Sequence, residues 1–206
     1  MYSRRVEETR YEQRKRRTRQ LLIETALRLF AEQGYEQTTV AQIAAAADVA
    51  TKTFFNHFPS KEDVVFADTR QRNTIPLQVI AERQPEDTVA DLLTRSYQAM
   101  RADYQARGGE QHPTLMRAYT RLVLSVPNLQ AKALHQVYDL QREVASALHE
   151  AFPDQLDPIK AAAVVGCLVG ATQAAALTSL ELGQSEDEFW AAMRCGLDTG
   201  LSGLRT

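Results

Sequence analysis

Chemistry in this 206-residue chain could sit on its four histidines, its two cysteines and a few short polar runs. The histidines are His57, His112, His135 and His149. His135 and His149 fall in one predicted helix, about 21 Å apart at 1.5 Å per residue, too far to share a metal ion. His135 and Asp139 are spaced as a surface i,i+4 pair. The chain contains no Gly-rich phosphate loop, no H-E-x-x-H and no C-x-x-C, so hydrolytic, metal or cofactor chemistry is not expected. Cys167 and Cys195 are too few for a disulfide framework and fit a reduced cytosol. Buried, inert thiols are the favoured reading for both, ahead of an oxidant sensor.

A denser polar cluster lies near the N-terminus. Thr51, Lys52, Thr53, Asn56 and His57 fall within seven residues, and at helical spacing they form one outward face. Lys52 can donate to guanine O6 or N7 or to a phosphate, and Asn56 can pair with an adenine edge. The threonines offer a hydroxyl to phosphate and a methyl to thymine. A solvated helix face is the plainer reading of such a set. The charge ahead of it favours a polyanion: residues 1–20 carry a net +5, residues 66–206 a net −4, and the whole chain −2.

These side chains need a scaffold, and its periodicity is helical throughout. With 44% hydrophobic and 24% charged residues the chain is globular. Apolar residues recur at spacings of three and four, never in sustained alternation. The first helix is predicted from about Arg17 to Gln33, ended by Gly34. Thr39 caps a second helix carrying Val40, Ile43, Ala44 and Ala47, and a third runs from Ala50 to His57 until Pro59 stops it. Ser60 caps a fourth that reaches about Arg72, beyond which Asn73, Pro76 and Pro85 mark a boundary. Five more are predicted: Thr88 to Arg107, Pro113 to Pro127, Asn128 to Phe152, Asp157 to Leu182, and one opened by the capping box Ser185 and Glu188. The expectation is an all-α protein of about nine helices. Residues 161–180 carry no charge, but seven alanines and four polar side chains favour a helix buried in protein over a membrane span. Met1 to Gln20 has no signal-peptide core. A cytoplasmic location is expected.

The run Gly34-Tyr35, Thr38-Thr39-Val40, Ile43-Ala44, Ala47-Asp48-Val49 and Thr53-Phe54-Phe55-Asn56-His57-Phe58-Pro59-Ser60-Lys61-Glu62 resembles the DNA-binding domain of the TetR family of transcriptional regulators. The likeness covers about residues 16–65, with the helix-turn-helix at 39–58. It implies a basic arm over 1–15, a three-helix DNA-binding domain over 16–65, and a helical effector-binding and dimerisation domain over 66–206. It further implies a homodimer on a palindromic operator, a repressor in most members, released by a small-molecule effector. Carried over by position, Thr39, His57 and Lys61 contact phosphates. Thr51, Lys52, Thr53 and Asn56 read bases or phosphates, and Arg14, Lys15, Arg16, Arg17 and Arg19 follow the backbone or enter the minor groove. Asp48 replaces the glycine usual in the turn, and Phe55 and His57 stand where tyrosines are common. Aspartate tolerates positive φ better than most residues, so the turn is expected to survive.

The resemblance places an effector pocket in the C-terminal domain, with Tyr97, Met100, Tyr104, Met116, Tyr119, Val137 and Tyr138 as wall residues and Arg117 and Arg121 as holders of an anionic effector. Plain core, and for the arginines a solvated face, are the favoured alternatives. The last two helices are expected to form the dimer interface through Ala163, Gly166, Cys167 and Gly170, with Phe189, Trp190, Met193, Leu197 and Leu201. Gly166 and Gly170 would let another helix approach closely. The competing functions are a helical small-molecule-binding protein or enzyme retaining a helix-turn-helix, and an architectural DNA binder without sequence preference.

Overall fold

The structure is a computed structural model and describes residues 2–67, 69–106 and 122–202. Among them every regular element is helical: α1 (Tyr2–Gln33), α2 (Val40–Ala46), α3 (Thr51–His57), α4 (Lys61–Val65), α5 (Thr69–Ala81), α6 (Val89–Ala106), α7 (Pro127–Ala151), α8 (Pro158–Glu181) and α9 (Glu186–Leu201). Residues 122–125 are helical too. The rest of the helix expected from Pro113 lies outside the described residues. The chain forms two compact units, Met1–Thr69 with Ala118–Gln130, and Arg70–Arg117 with Ala131–Thr206.

In the first unit α1 runs far beyond its expected start near Arg17. The preceding charged stretch is dominated by Arg, Glu, Lys and Gln, good helix formers, and has no glycine or proline, so nothing interrupts the helix. The basic arm is therefore continuous with α1. Its apolar residues Leu22, Ile23, Ala26 and Phe30 are buried, and Gly34 ends it at φ +89. The Gly34 N–H still donates to the Phe30 carbonyl at 3.1 Å. Thr39 and Gln42 form a full capping box at the start of α2, whose buried residues are Ile43 and Ala44. Phe54 and Phe58 hold α3 in place, each at most 1% exposed.

The expected fourth helix is two. α4 stops at Val65, and α5 begins at Thr69 and continues through Pro76 to Ala81. A proline there removes one backbone donor and leaves the carbonyl four residues back without its partner. Burial of Pro76 and Ile80, with Leu77 and Val79 half-buried, offsets that loss. Of the residues expected to mark a boundary, Asn73 and Pro76 thus lie inside a helix, whereas Pro85 falls between α5 and α6.

The second unit has a core of Ile80, Leu92, Leu93, Val144, Leu148, Phe152, Val165, Leu197 and Leu201. Asp157 caps α8 with Pro158 in its first turn, and the Ser185–Glu188 capping box opens α9. α7 starts at Pro127, one residue ahead of the expected cap Asn128. α8 is long and apolar enough to cross a membrane, yet within the chain only Ala161, Val165 and Ser179 of it are buried. Among the described residues, the burial expected for this helix is supplied only at those positions.

Candidate nucleic-acid interface

The site begins with a turn. Between α2 and α3, Asp48 adopts φ +53, the left-handed conformation that a glycine would take without strain. The Val49 N–H donates to the Ala44 carbonyl at 2.9 Å and closes the turn. This tight link sets α3 across α2 as a helix-turn-helix requires.

With Phe54 and Phe58 turned inward, the other side chains of α3 form three i,i+4 pairs side by side. Thr51 and Phe55 line one edge, Lys52 and Asn56 the centre, and Thr53 and His57 the other edge. Thr51, Lys52, Phe55 and Asn56 are exposed, whereas Thr53 and His57 are half-buried. The helix of seven residues therefore presents a polar centre flanked by unlike edges.

The His57 edge is cationic. Burial lowers the His57 pKa below its ordinary value, and the nearby charges of Arg19 and Lys15 lower it further. At neutral pH the imidazole is uncharged in the free protein and can donate one hydrogen bond. Arg14, Lys15, Arg16 and Arg17 are all exposed on α1. Arg19 is different: its guanidinium donates to the carbonyls of Ala67 at 2.6 Å and His57 at 3.5 Å, and stacks 4.5 Å from the Phe58 ring centroid. It ties α1 to the end of α3 and to Ala67, two residues beyond α4.

Lys61 is also engaged within the chain. Its Nζ donates to the carbonyls of Tyr35 at 2.7 Å and Thr38 at 3.1 Å. Two of its three N–H groups are occupied, so its first task is to hold the α1–α2 turn rather than a phosphate. Thr39 exchanges bonds with Gln42 but remains exposed. Tyr35, Thr38 and Glu62, none of them an expected DNA contact, form the rest of this network. The Tyr35 hydroxyl donates to Glu62 Oε1 at 2.9 Å, and the buried Thr38 hydroxyl donates to the Gly34 carbonyl at 2.7 Å. Tyr35, Lys61 and Glu62 all stood in the motif run, but local spacing does not show which polar groups face inward.

The second unit treats its expected residues unevenly. The Tyr97 hydroxyl donates to the Trp190 carbonyl at 3.2 Å, and Tyr104 packs on the Trp190 ring with centroids 5.2 Å apart. Met100 and Tyr138 are exposed, and Val137 is half-buried. Met116, Arg117, Tyr119 and Arg121 lie outside the described residues. A cavity of about 360 Å³ lies in the first unit, lined by residues that include Leu27, Phe30, Tyr35, Leu122 and Val126.

The expected interface residues divide into three groups. Leu197 and Leu201, each 1% exposed, belong to the core of their own chain and are not available to a partner. Phe189, Trp190 and Met193 are half-buried, and Phe189 packs edge-on against Trp190. Ala163, Cys167 and Gly170 are exposed. A Cβ added at Gly166 or Gly170 would meet no atom within 4 Å. Close approach inside the chain uses a second G-x-x-x-G that sequence reading passed over. A Cβ at Gly196 would lie 2.6 Å from the Ala171 carbonyl oxygen, and one at Gly200 would lie 2.9 Å from Leu168 Cα. Both thiols are exposed rather than buried, because the two cysteines fall on the outer faces of α8 and α9.

A helix-turn-helix with a polar, exposed second helix and a cationic flank defines a DNA-binding head joined to a helical unit. Residues 22–67 match the family model of bacterial regulatory proteins, tetR family. HTH-type transcriptional regulator TcmR of Streptomyces glaucescens is 36% identical over 133 residues, 63% of this chain and 58% of that protein. The chain thus spans less than two thirds of that relative. HTH-type transcriptional repressor DhaR of a Mycobacterium species is 48% identical over 44 residues, 21% of this chain and 22% of that protein. A putative TetR-family transcriptional regulator from Mesorhizobium loti shares the fold at a TM-score of 0.59 and 17% identity, covering 92% of this chain and 98% of the other. Residues 22–67 are thus similar to the DNA-binding domain of TetR-family transcriptional regulators, and the fold of the whole chain is similar to theirs.

Proposed function

We propose that this chain is a cytoplasmic, ligand-responsive regulator of transcription that binds a palindromic operator as a homodimer and represses until an effector releases it. The observation that carries the reading is the exposed centre of α3, Lys52 and Asn56, on a helix fixed by two fully buried phenylalanines. Lys52 with guanine and Asn56 with adenine are donor and acceptor pairings of the major groove. Arg14, Lys15, Arg16 and Arg17 supply the sequence-independent attraction to phosphate, which weakens as salt rises. Thr39, Thr51, Thr53 and His57 add hydrogen bonds that set the register.

The second copy would sit on α8. Ala163, Cys167, Gly170, Ala174 and Leu177 are exposed at successive spacings of four, three, four and three, a continuous stripe of mostly small residues. A four-helix bundle of α8 and α9 from two protomers would cover it. An effector held in the second unit would act only through a difference in affinity between DNA-competent and DNA-incompetent states. Tyr97, Tyr104 and Trp190 are the aromatic wall nearest to such a role.

The test is binding-site selection from genomic fragments of the source organism at about 0.15 M salt. A shared inverted repeat supports the regulator. Uniform retention supports an architectural binder instead, and no retention from effector-free protein removes the DNA-binding reading altogether.

A further inference from the structure

The two edges of α3 differ in chemistry. Thr53 and His57 lie on the edge to which Arg19 reaches, with its guanidinium 3.5 Å from the His57 carbonyl. That edge suits a phosphate strand. The opposite edge carries Thr51 and Phe55, and no charged side chain of α3 lies on it.

Phe55 is 53% exposed and is the one large apolar side chain on the outward surface of α3. Its ring meets the buried Phe54 ring edge-on, with centroids 5.6 Å apart and planes at 84°. Phe54 is itself 0% exposed, so Phe55 has a fixed backstop and its free side points outward. A phenylalanine has no hydroxyl to give a phosphate or a base edge. Next to it, one turn back on the same edge, Thr51 adds a methyl group. The major groove offers one apolar group to such a surface, the C5-methyl of thymine, and Phe and Thr are among the side chains that cover it.

We infer that Phe55 is a specificity residue that reads thymine, its exposed ring covering the C5-methyl group at one fixed position in each half-site. The inference rests on the operator-binding reading above and deepens it. Lys52 and Asn56 then read neighbouring bases along the centre of the helix. The Thr51–Phe55 edge selects a 5-methylpyrimidine where hydrogen bonding alone would leave uracil and thymine indistinguishable.

The experiment uses the whole 206-residue chain and the duplex recovered by site selection. Each thymine is replaced in turn by deoxyuridine, symmetrically in both half-sites, and binding is followed by fluorescence anisotropy. Losing one buried methyl weakens binding about fourfold, so the symmetric pair should weaken it about fifteenfold at one position. Phe55→Ala should bind the parent and that deoxyuridine duplex alike. A wild-type protein indifferent to every deoxyuridine substitution overturns the inference, even if Phe55→Ala does not fold. A methyl effect that persists undiminished in Phe55→Ala overturns it too, and assigns the methyl to another side chain. Failure to recover any common sequence removes the operator reading instead, and this inference with it.

Discussion

The Lys61 ammonium stands 3.9 Å from the centroid of the Tyr35 ring while it donates to the Tyr35 carbonyl at 2.7 Å. The next residue, Glu62, accepts a hydrogen bond from the Tyr35 hydroxyl at 2.9 Å. Two sequence neighbours on α4 thus hold one residue of the α1–α2 turn by its ring, its backbone and its hydroxyl. The turn in turn fixes α2 and, through it, the angle at which α3 is presented.

Removing the ammonium should therefore show in stability, independently of any DNA. Lys61→Met keeps the chain's bulk but deletes two charge-assisted hydrogen bonds and the cation–π contact. A loss of about 2 kcal/mol is expected, because the half-buried site only partly readmits water. Urea unfolding measures it. An unchanged midpoint would mean that Lys61 is held for phosphate alone.

The Tyr35–Glu62 bond makes a pH prediction. Burial alone would raise the Glu62 pKa. Hydrogen bonds from its own backbone N–H, Ser60 and Tyr35, with the Lys61 charge, outweigh burial and hold it below the ordinary 4.5. The unfolded chain then binds more protons than the native one as pH falls below that value. Native stability is fully present above it and is lost as pH drops through the lowered pKa. Tyr35→Phe should flatten this acid limb while leaving the trend above pH 6 parallel to wild type. Unfolding midpoints across acid to neutral pH would reveal an equally steep limb if the hydroxyl contributes nothing.

At Asp48 the backbone, not the side chain, sets the requirement. Its φ of +53 is costly for most residues, less so for aspartate, and free for glycine. Asp48→Gly is expected to hold or raise stability, and Asp48→Val to lower it by about 1–2 kcal/mol. Since α3 hangs on this turn, operator affinity should fall with the valine variant and not with glycine. Equal stability of the two variants would show that the turn relaxes into another conformation.

Much of this geometry was legible in the residues themselves. Thr39, Ser60 and Ser185 each cap the helix their type announced, and Gly34 ends α1 with the positive φ its position implied. These signals are local, so sequence carries them. The helix through Pro76 was not legible, because tertiary burial overrides a local breaker there. Nor could spacing decide how polar groups are divided. Arg19 and Lys61 looked like phosphate ligands beside Arg14 and Lys52, and only the fold shows them turned onto the chain's own carbonyls. The glycines divide in a way that spacing alone does not show. Gly166 and Gly170 have the spacing of a close helix pair, yet the chain packs on Gly196 and Gly200.

Lys52 is the only lysine or arginine on α3, and it is exposed at the centre of the outward face. Lys52→Ala should cost about 1–3 kcal/mol of operator binding if it reads a base, and the loss should fall on one base pair of the site. A uniform loss across all duplexes, with a shallower salt dependence, would reassign it to phosphate. Anisotropy titrations against single-base variants of the operator distinguish the two.

The two glycine pairs should separate folding from assembly. At Gly196 an added Cβ meets the Ala171 carbonyl oxygen at 2.6 Å and Thr172 Cα at 2.7 Å, both backbone atoms that cannot swing aside. Gly196→Ala must push α9 off α8, and overpacking of this kind costs about 1–3 kcal/mol. The same argument leaves Gly170 harmless within the chain, where a Cβ meets nothing. Gly170→Leu should then fold with wild-type stability as a protomer, helped slightly by the loss of a helical glycine. If a second copy covers the exposed stripe of α8, the leucine holds that copy away. Light scattering at low micromolar concentration should report a weakened dimer for Gly170→Leu and a less stable, still associating chain for Gly196→Ala. A full dimer from Gly170→Leu would place the interface on another face.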